Sequence, residues 1–164
     1  MHHKKILIAT LLIAAAFNYS AAAEVFYQVE RVVDGDTLKL ANGARVRLIG
    51  VDTPEVHYSK KLLRDARTSG QDIKAIRELG KAASDFTKGH VGRKKVRLEF
   101  DVEKKDRYGR LLAYVYLEDG TFVNAEIIRE GYGQVMTIPP NIKYADHFVG
   151  LQTAARESKK GFWK

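Results

Sequence analysis

The sequence predicts a small antiparallel β-barrel with helices packed at its side. Short stretches rich in β-branched and aromatic residues run as a meander from Val25 to Val51, and again from Lys94 to Val123. A helical period separates them, and two more helical stretches close the chain. There is no regular alternation of strand and helix, no repeat and no low-complexity tract, which argues against a parallel sheet or a solenoid.

Val25 to Val33 reads as the first strand and Thr37 to Leu40 as the second, with Asp34-Gly35-Asp36 between them. Asn42-Gly43 is a two-residue hairpin signal, both positions being expected at positive φ. Arg45 to Val51 is the return strand, with Val46 and Leu48 on one face and Arg45, Arg47 and Ile49 on the other. Pro54 removes a ladder donor and ends it. Val56 to Gly70 is charged and lacks a clear period, so a mobile loop is expected, with at most a helical turn at Leu62 to Ala66. Ile73, Ile76, Leu79, Ala83 and Phe86 have helical spacing within Gln71 to Gly89. Lys94 to Asp101 alternates, with Val96, Leu98 and Phe100 expected inside. Leu111 to Leu117 is a further strand, and Asp119-Gly120 turns it into Thr121 to Val123. Asn124 is expected to cap a short helix that Gly131 stops. Gly133 to Ile138 is extended, Ile142 to Ser158 is the last helix, and Phe162 and Trp163 fold back on the body.

The first 23 residues read differently. Met1 to Lys5 is positive, Ile6 to Phe17 is almost purely apolar, and Ala21-Ala22-Ala23 offers small residues for cleavage. This is the three-part pattern of an export signal, too short for a membrane span of about 20 apolar residues. The expectation is a signal peptide over 1–23, a single domain over 24–164, and release to the periplasm or the outside without stable membrane association. Loss of Lys4 and Lys5 takes the net charge from +8 to +6. A basic surplus on a domain of this size favours acidic partners such as nucleic acid. With no cysteine there is no disulfide, no thiolate metal site and no lipid-modified cysteine. Monomer is the default for such a domain.

Four acids flank the first hairpin: Asp34 and Asp36 before it, Asp52 and Glu55 after it. Strand pairing would bring the two pairs together. Carboxylates gathered without His or Cys suit a hard cation, calcium or magnesium. The spacing is not an EF-hand, since the sixth and twelfth positions from Asp34 are Lys39 and Arg45. A plain turn and a plain strand end are the competing reading. Arg47 lies five residues before Asp52, and Arg110 ends the segment Asp106-Arg107-Tyr108-Gly109-Arg110. Guanidinium groups and a divalent cation are what stabilise the charge that develops on a phosphodiester under attack by water. Glu55 is placed to orient or deprotonate that water, although a glutamate's reference pKa of about 4.3 makes it a weak base at neutrality. His57, His90 and His147 have no partner pattern, and no P-loop, nucleophile elbow or H-E-x-x-H motif occurs.

Three blocks, Val33-Asp34-Gly35-Asp36-Thr37, Arg47-Leu48-Ile49-Gly50-Val51-Asp52-Thr53-Pro54-Glu55 and Asp106-Arg107-Tyr108-Gly109-Arg110, resemble the signatures of the thermonuclease (staphylococcal nuclease-like) family in order and spacing. Similarity continues through Ala82 to Thr87, Phe122-Val123-Asn124 and the terminal aromatic. The resemblance implies an α+β, mainly β fold, a five-stranded OB-fold barrel with about three packed helices. It implies a Ca2+-dependent endonuclease hydrolysing DNA and RNA to 3′-phosphates. By position it makes Asp36, Asp52 and the carbonyl of Thr53 metal ligands, Arg47 and Arg110 phosphate-holding catalytic residues, and Glu55 the acid beside the water. Asp34 supports the turn, and Arg107 and Tyr108 match positions that contact a nucleotide phosphate.

Two departures stand out. Tyrosines expected before the Pro-Asn turn are replaced by Val135-Met136-Thr137-Ile138-Pro139, removing a stacking platform worth about 1–3 kcal/mol per base. The segment from Val56 to about Leu79 is longer than in the family pattern and carries Lys60, Lys61, Arg64, Arg67, Lys74 and Arg77, either a phosphate track or a solvated insertion. A non-catalytic barrel that binds single-stranded nucleic acid is the alternative reading. It leaves Glu55 unexplained, because a carboxylate beside phosphate repels the ligand. A basic surface-binding protein leaves all five of Asp36, Arg47, Asp52, Glu55 and Arg110 unexplained.

Overall fold

Five strands close into a barrel, as the computed structural model shows for residues 24–57 and 59–164. The expected leader lies outside the described residues. β1 (Phe26–Asp34), β2 (Thr37–Leu40) and β3 (Arg45–Leu48) form the meander, and β5 (Lys95–Glu99) and β6 (Leu111–Leu117) complete the ring. All pairings are antiparallel except β3 with β6, which run parallel with Arg47 opposite Leu112. The five-stranded barrel expected from the sequence is therefore present. Leu38, Leu40, Val46, Leu48, Val96 and Val115 fill its interior. Alternating inward positions from every strand are what pack a small barrel solid.

After Leu48 the chain leaves the barrel. β4 (Gly50–Asp52) pairs with β7 (Gln134–Met136) instead, setting Asp52 opposite Gln134. The single strand expected over Arg45 to Val51 is thus two. The junction is held by Asn124, whose Nδ2 donates to the carbonyl of Ile49 at 2.8 Å and whose Oδ1 accepts from Val115 N at 2.9 Å. Asn124 is not the cap of α3 (Val123–Arg129). It lies inside the first turn, fully buried, while Phe122 stands at the cap position without a side-chain bond. The strand expected over Thr121 to Val123 shrinks to one bridge, Tyr116 to Phe122, because the helix begins at Val123.

Among the described residues four α-helices pack beside the barrel, against about three expected. The addition is α1 (Lys60–Ser69), where a mobile loop with a helical turn at Leu62 to Ala66 was expected. Ser59 caps it by accepting from Leu62 N, Gly70 ends it in the left-handed conformation, and Leu62 is fully buried as α1 packs on α2 (Ile73–Val91). α2 buries the stripe Ile76, Gly80, Ala83, Thr87 and Val91. α4 (Ala145–Glu157) packs on α3 and β7 and places Phe148 in the core. The C-terminal turn Gly161–Trp163 folds back as expected, with Phe162 N donating to Gly131 O at 2.9 Å. Among the described residues, no helix is long and apolar enough to cross a membrane.

Two local expectations differ. The first hairpin loop has three residues, Ala41 to Gly43, flanked by Leu40 N donating to Ala44 O. Only Gly43 has positive φ, and Asn42 instead accepts from Ala44 N through its side chain. Phe100 is exposed rather than inside, because β5 ends at Glu99 and the chain turns outward.

Asn124→Ala would leave a buried carbonyl and a buried N–H without their side-chain partner. At about 1–3 kcal/mol for each unsatisfied group, a loss of about 2–6 kcal/mol in unfolding free energy is expected. Urea titration with an unchanged slope is the measurement.

Candidate active site

The two halves of the first hairpin deliver their acids to one guanidinium. Arg47, on β3, pairs in register with Thr37, the residue after Asp36, so its side chain emerges beside the acid turn. Its Nη2 donates to Asp52 Oδ1 at 3.1 Å, and its Nη1 lies 2.6 Å from Asp36 Oδ2. The Nη1 contact is ionic only. No hydrogen of that nitrogen is aligned on an acceptor, although the atom is buried. The Arg47 side chain is 14% exposed, Asp36 9% and Asp52 24%, so the trio sits at the bottom of the surface rather than on it.

Asp36 is bonded through both of its carboxylate oxygens. Its Oδ2 accepts from the backbone N–H and the hydroxyl of Thr53, both at 3.0 Å, and its Oδ1 accepts from the Thr37 hydroxyl at 2.9 Å. These bonds join the turn after β1 to the loop after β4. They require close approach, and glycine provides it. A Cβ on Gly35 would meet Thr53 Cγ2 and Ala83 Cβ at 2.8 Å. The hydroxyl of Thr87 donates to Gly35 O at 2.7 Å and fixes the turn against α2.

Glu55 follows in the same loop. Its backbone presses on α2 at Gly80, where a Cβ would lie 2.7 Å from the carbonyls of Pro54 and Glu55. Arg77 Nε donates to Val56 O at 3.0 Å and ties down the next residue. Gly80, Ala83 and Thr87 therefore form one helix face that carries both the acid turn and the Pro54-Glu55 loop. The apolar spacing of α2 was legible in the sequence, but this use of its small residues was not.

Arg110 immediately precedes β6, the strand paired with the one that carries Arg47. It stands two residues before Leu112, the register partner of Arg47 across the parallel β3·β6 pairing. The turn Asp106 to Arg110 is organised by Asp106, which accepts from the N–H groups of Tyr108 and Arg110 and from Arg110 Nε at 2.7 Å. Burial pushes the Asp106 carboxyl up, but the Arg110 bonds outweigh it and hold its pKa below the usual value. The tether is therefore complete above the ordinary carboxylate range and is lost only as pH falls through that lowered value. Asp106 is a positioning residue to which the sequence reading gave no role, although an acid four residues before the arginine was the signal. Tyr108 is exposed, its ring 5.7 Å from the Arg110 guanidinium, and Arg107 donates to its hydroxyl at 2.7 Å.

A second asparagine holds the rim. Asn141 bonds both backbone groups of Glu103, at 2.8 and 2.9 Å, and Asp101 accepts from Tyr114 and from Lys143 N. The stretch that replaces the expected tyrosines runs beside β4, and Ile138 is exposed there. His57 is exposed, and His90 stacks on Phe86 within reach of its carbonyl oxygen, apart from the acids.

Chemically, Asp36, Asp52 and the Thr53 backbone are a hard, oxygen-only donor set. Among the described residues no three His, Asp or Glu side chains gather to hold a metal. A hard cation held here would take two carboxylates from side chains and complete its shell with carbonyl, water and ligand oxygens.

Residues 45–164 match the family model described as staphylococcal nuclease homologue. The chain is 41% identical over 141 residues to the thermonuclease of Staphylococcus intermedius, covering 84% of this chain and 76% of that protein. It is 40% identical over 147 residues to the thermonuclease of Staphylococcus hyicus, covering 88% and 79%. Endonuclease YhcR of Bacillus subtilis (strain 168) is 36% identical over 151 residues, 88% of this chain and 12% of that protein. With the model spanning residues 45–164 and two thermonucleases aligned along most of both chains, this chain belongs to the staphylococcal nuclease family.

Proposed function

We propose that the chain is an exported nuclease that hydrolyses the phosphodiester bonds of DNA and RNA internally, with calcium as its metal and 3′-phosphates among its products. The observation that carries this reading is the Arg47 guanidinium, held between Asp36 and Asp52 by ion pairs at 2.6 and 3.1 Å. A guanidinium so held is a pre-organised donor for a phosphate oxygen, and it needs no reorganisation when the charge develops. Relatives named thermonuclease and endonuclease support the reaction class. The apolar stretch and alanines of Met1 to Ala23 support export, leaving residues 24–164 as the domain.

In this reading Arg47 and Arg110 hold the non-bridging oxygens and stabilise the charge added to them as water attacks phosphorus. Glu55 accepts a proton from that water. The bond from phosphorus to the 5′ oxygen breaks, leaving a 3′-phosphate and a 5′-hydroxyl. Asp36, Asp52 and the Thr53 carbonyl would hold calcium, which would supply positive charge to the phosphate and to the attacking water. Asp106 keeps Arg110 aimed. A binding module of the same fold would have no use for Glu55 at this place, and cleavage separates the two readings.

Glu55→Gln and Arg110→Ala should each lower turnover by at least about a hundredfold while leaving the unfolding midpoint near that of the wild type. Arg47→Ala should lose turnover and stability together, because it strips a buried carboxylate of its ion pair. A folded, fully active Glu55→Gln protein would sink the assignment.

Calcium should raise the thermal midpoint of the wild type and not of Asp52→Asn, and a chelator should abolish cleavage. Calcium at about 100 times its dissociation constant stabilises a folded protein by about 2.7 kcal/mol. Calorimetry thus reads the site independently of activity.

Asp106→Ala should reduce turnover roughly tenfold by releasing Arg110, an effect of misplacement rather than lost charge. Asp106→Ala should then add little to the loss already caused by Arg110→Ala in the double variant, and kinetics on the four-protein cycle tests this.

A further inference from the structure

α1 gathers its positive charge on one face. Lys60, Arg64 and Arg67 fall at i, i+4 and i+7, and with Leu63 and Thr68 they line a shallow open depression of about 430 Å³. The opposite side is anchored by Leu62. Two features of this face work against the helix itself. Like charges at these spacings repel one another. Lys60 opens a first turn that holds no acid, where the helix dipole disfavours positive charge. Asp65, the one acid in the sequence of α1, sits 3.6 Å from Arg64 with both side chains solvent-accessible. Nor does the face contribute to the core.

Its position is fixed relative to the site. Lys60 follows Glu55 by five residues, a span of at most about 18 Å. The connection is held by Arg77 on Val56 O, by the Ser59 cap, and by the packing of α1 on the helix whose Gly80 supports Glu55. Lys60 to Arg67 extends about 10 Å along the helix, which matches about three phosphates of a stacked strand.

We infer that the Lys60-Arg64-Arg67 face of α1 binds the phosphate backbone of the substrate strand several nucleotides away from the bond being cut. The inference rests on the nuclease reading for its ligand class. It makes the enzyme favour long strands over short ones, with a backbone contact that carries no base preference and partly replaces the absent stacking tyrosines.

The test replaces all three with glutamine, a good helix former, as Lys60→Gln, Arg64→Gln and Arg67→Gln, with circular dichroism to verify the helix. A matched control carries Lys88→Gln, Lys94→Gln and Lys95→Gln. Binding of a phosphorothioate single-stranded 20-mer is followed by fluorescence anisotropy at several salt concentrations. The α1 triple variant should bind about tenfold more weakly near physiological salt, and its slope of log affinity against log salt should shrink by about 2, for three phosphates at about 0.7 each. The control should move far less. Turnover of a mononucleotide nitrophenyl diester should be unchanged, while KM for long DNA rises. Equal affinity and equal slope in wild type and α1 variant would overturn the inference, as would equal losses in variant and control. So would wild-type capture of anionic vesicles through this face with 20-mer binding unaffected. Wild-type protein that binds the 20-mer through α1 but cuts no nucleic acid would refute the nuclease reading and support this one.

Discussion

The bonds to the Asp36 carboxylate are the constraint on which the site depends. One oxygen receives the backbone and side chain of Thr53 and lies against Arg47, and the other receives Thr37. Three segments are thereby fixed relative to one another: the turn between β1 and β2, strand β3, and the loop that ends in Glu55. A charge this buried costs free energy unless it is well bonded, and each of its partners belongs to the machinery it positions. Structure and chemistry therefore share one set of hydrogen bonds.

That arrangement works because of what lies beneath it. α2 presents glycine, alanine and threonine to the two loops, so backbone meets backbone without intervening side chains. A rigid helix is a better support for reacting groups than a loop, since its own hydrogen bonds are satisfied internally. The other wall is built by asparagines. Asn124 joins the end of the barrel strand to β6 where the sheet divides, and Asn141 joins the rim loops. Amide side chains suit these places because each offers both a donor and an acceptor to backbone groups that have lost their strand partners.

Much of this was legible in the sequence. β2 and β6 match their expected spans, since alternation and β-branched content are local signals. The two pairs of acids were expected to meet because a hairpin relates them, and Asp36 and Asp52 do meet on Arg47. α1 was not legible. Its stability rests on one buried leucine, a serine cap and a glycine stop within a charged stretch, and its apolar period is too thin to see without α2 beside it. Asn124 was assigned to a cap because it is polar and precedes a helix. Its actual partner, Ile49, is 75 residues away in the chain, and no local pattern reports such a bond. Phe100 continued an alternation that the strand itself abandons at Glu99. Local chemistry was thus readable, and long-range satisfaction of polar groups was not.

The parallel seam between β3 and β6 has a kinetic consequence. Val46 and Leu111 meet across 65 residues of chain, so closing the barrel requires a long loop to be brought round before any contact rewards it. The hairpin pairings of β1, β2 and β3 are local and close sooner. Arg47 lies on one side of the seam and Arg110 just ahead of the other. Asp52 is seated over a still longer span, since β4 pairs with β7 at Gln134. A chain with only its first hairpins formed can thus bring Asp36 to Arg47 and still lack both the pairing that seats Asp52 and the strand that follows Arg110.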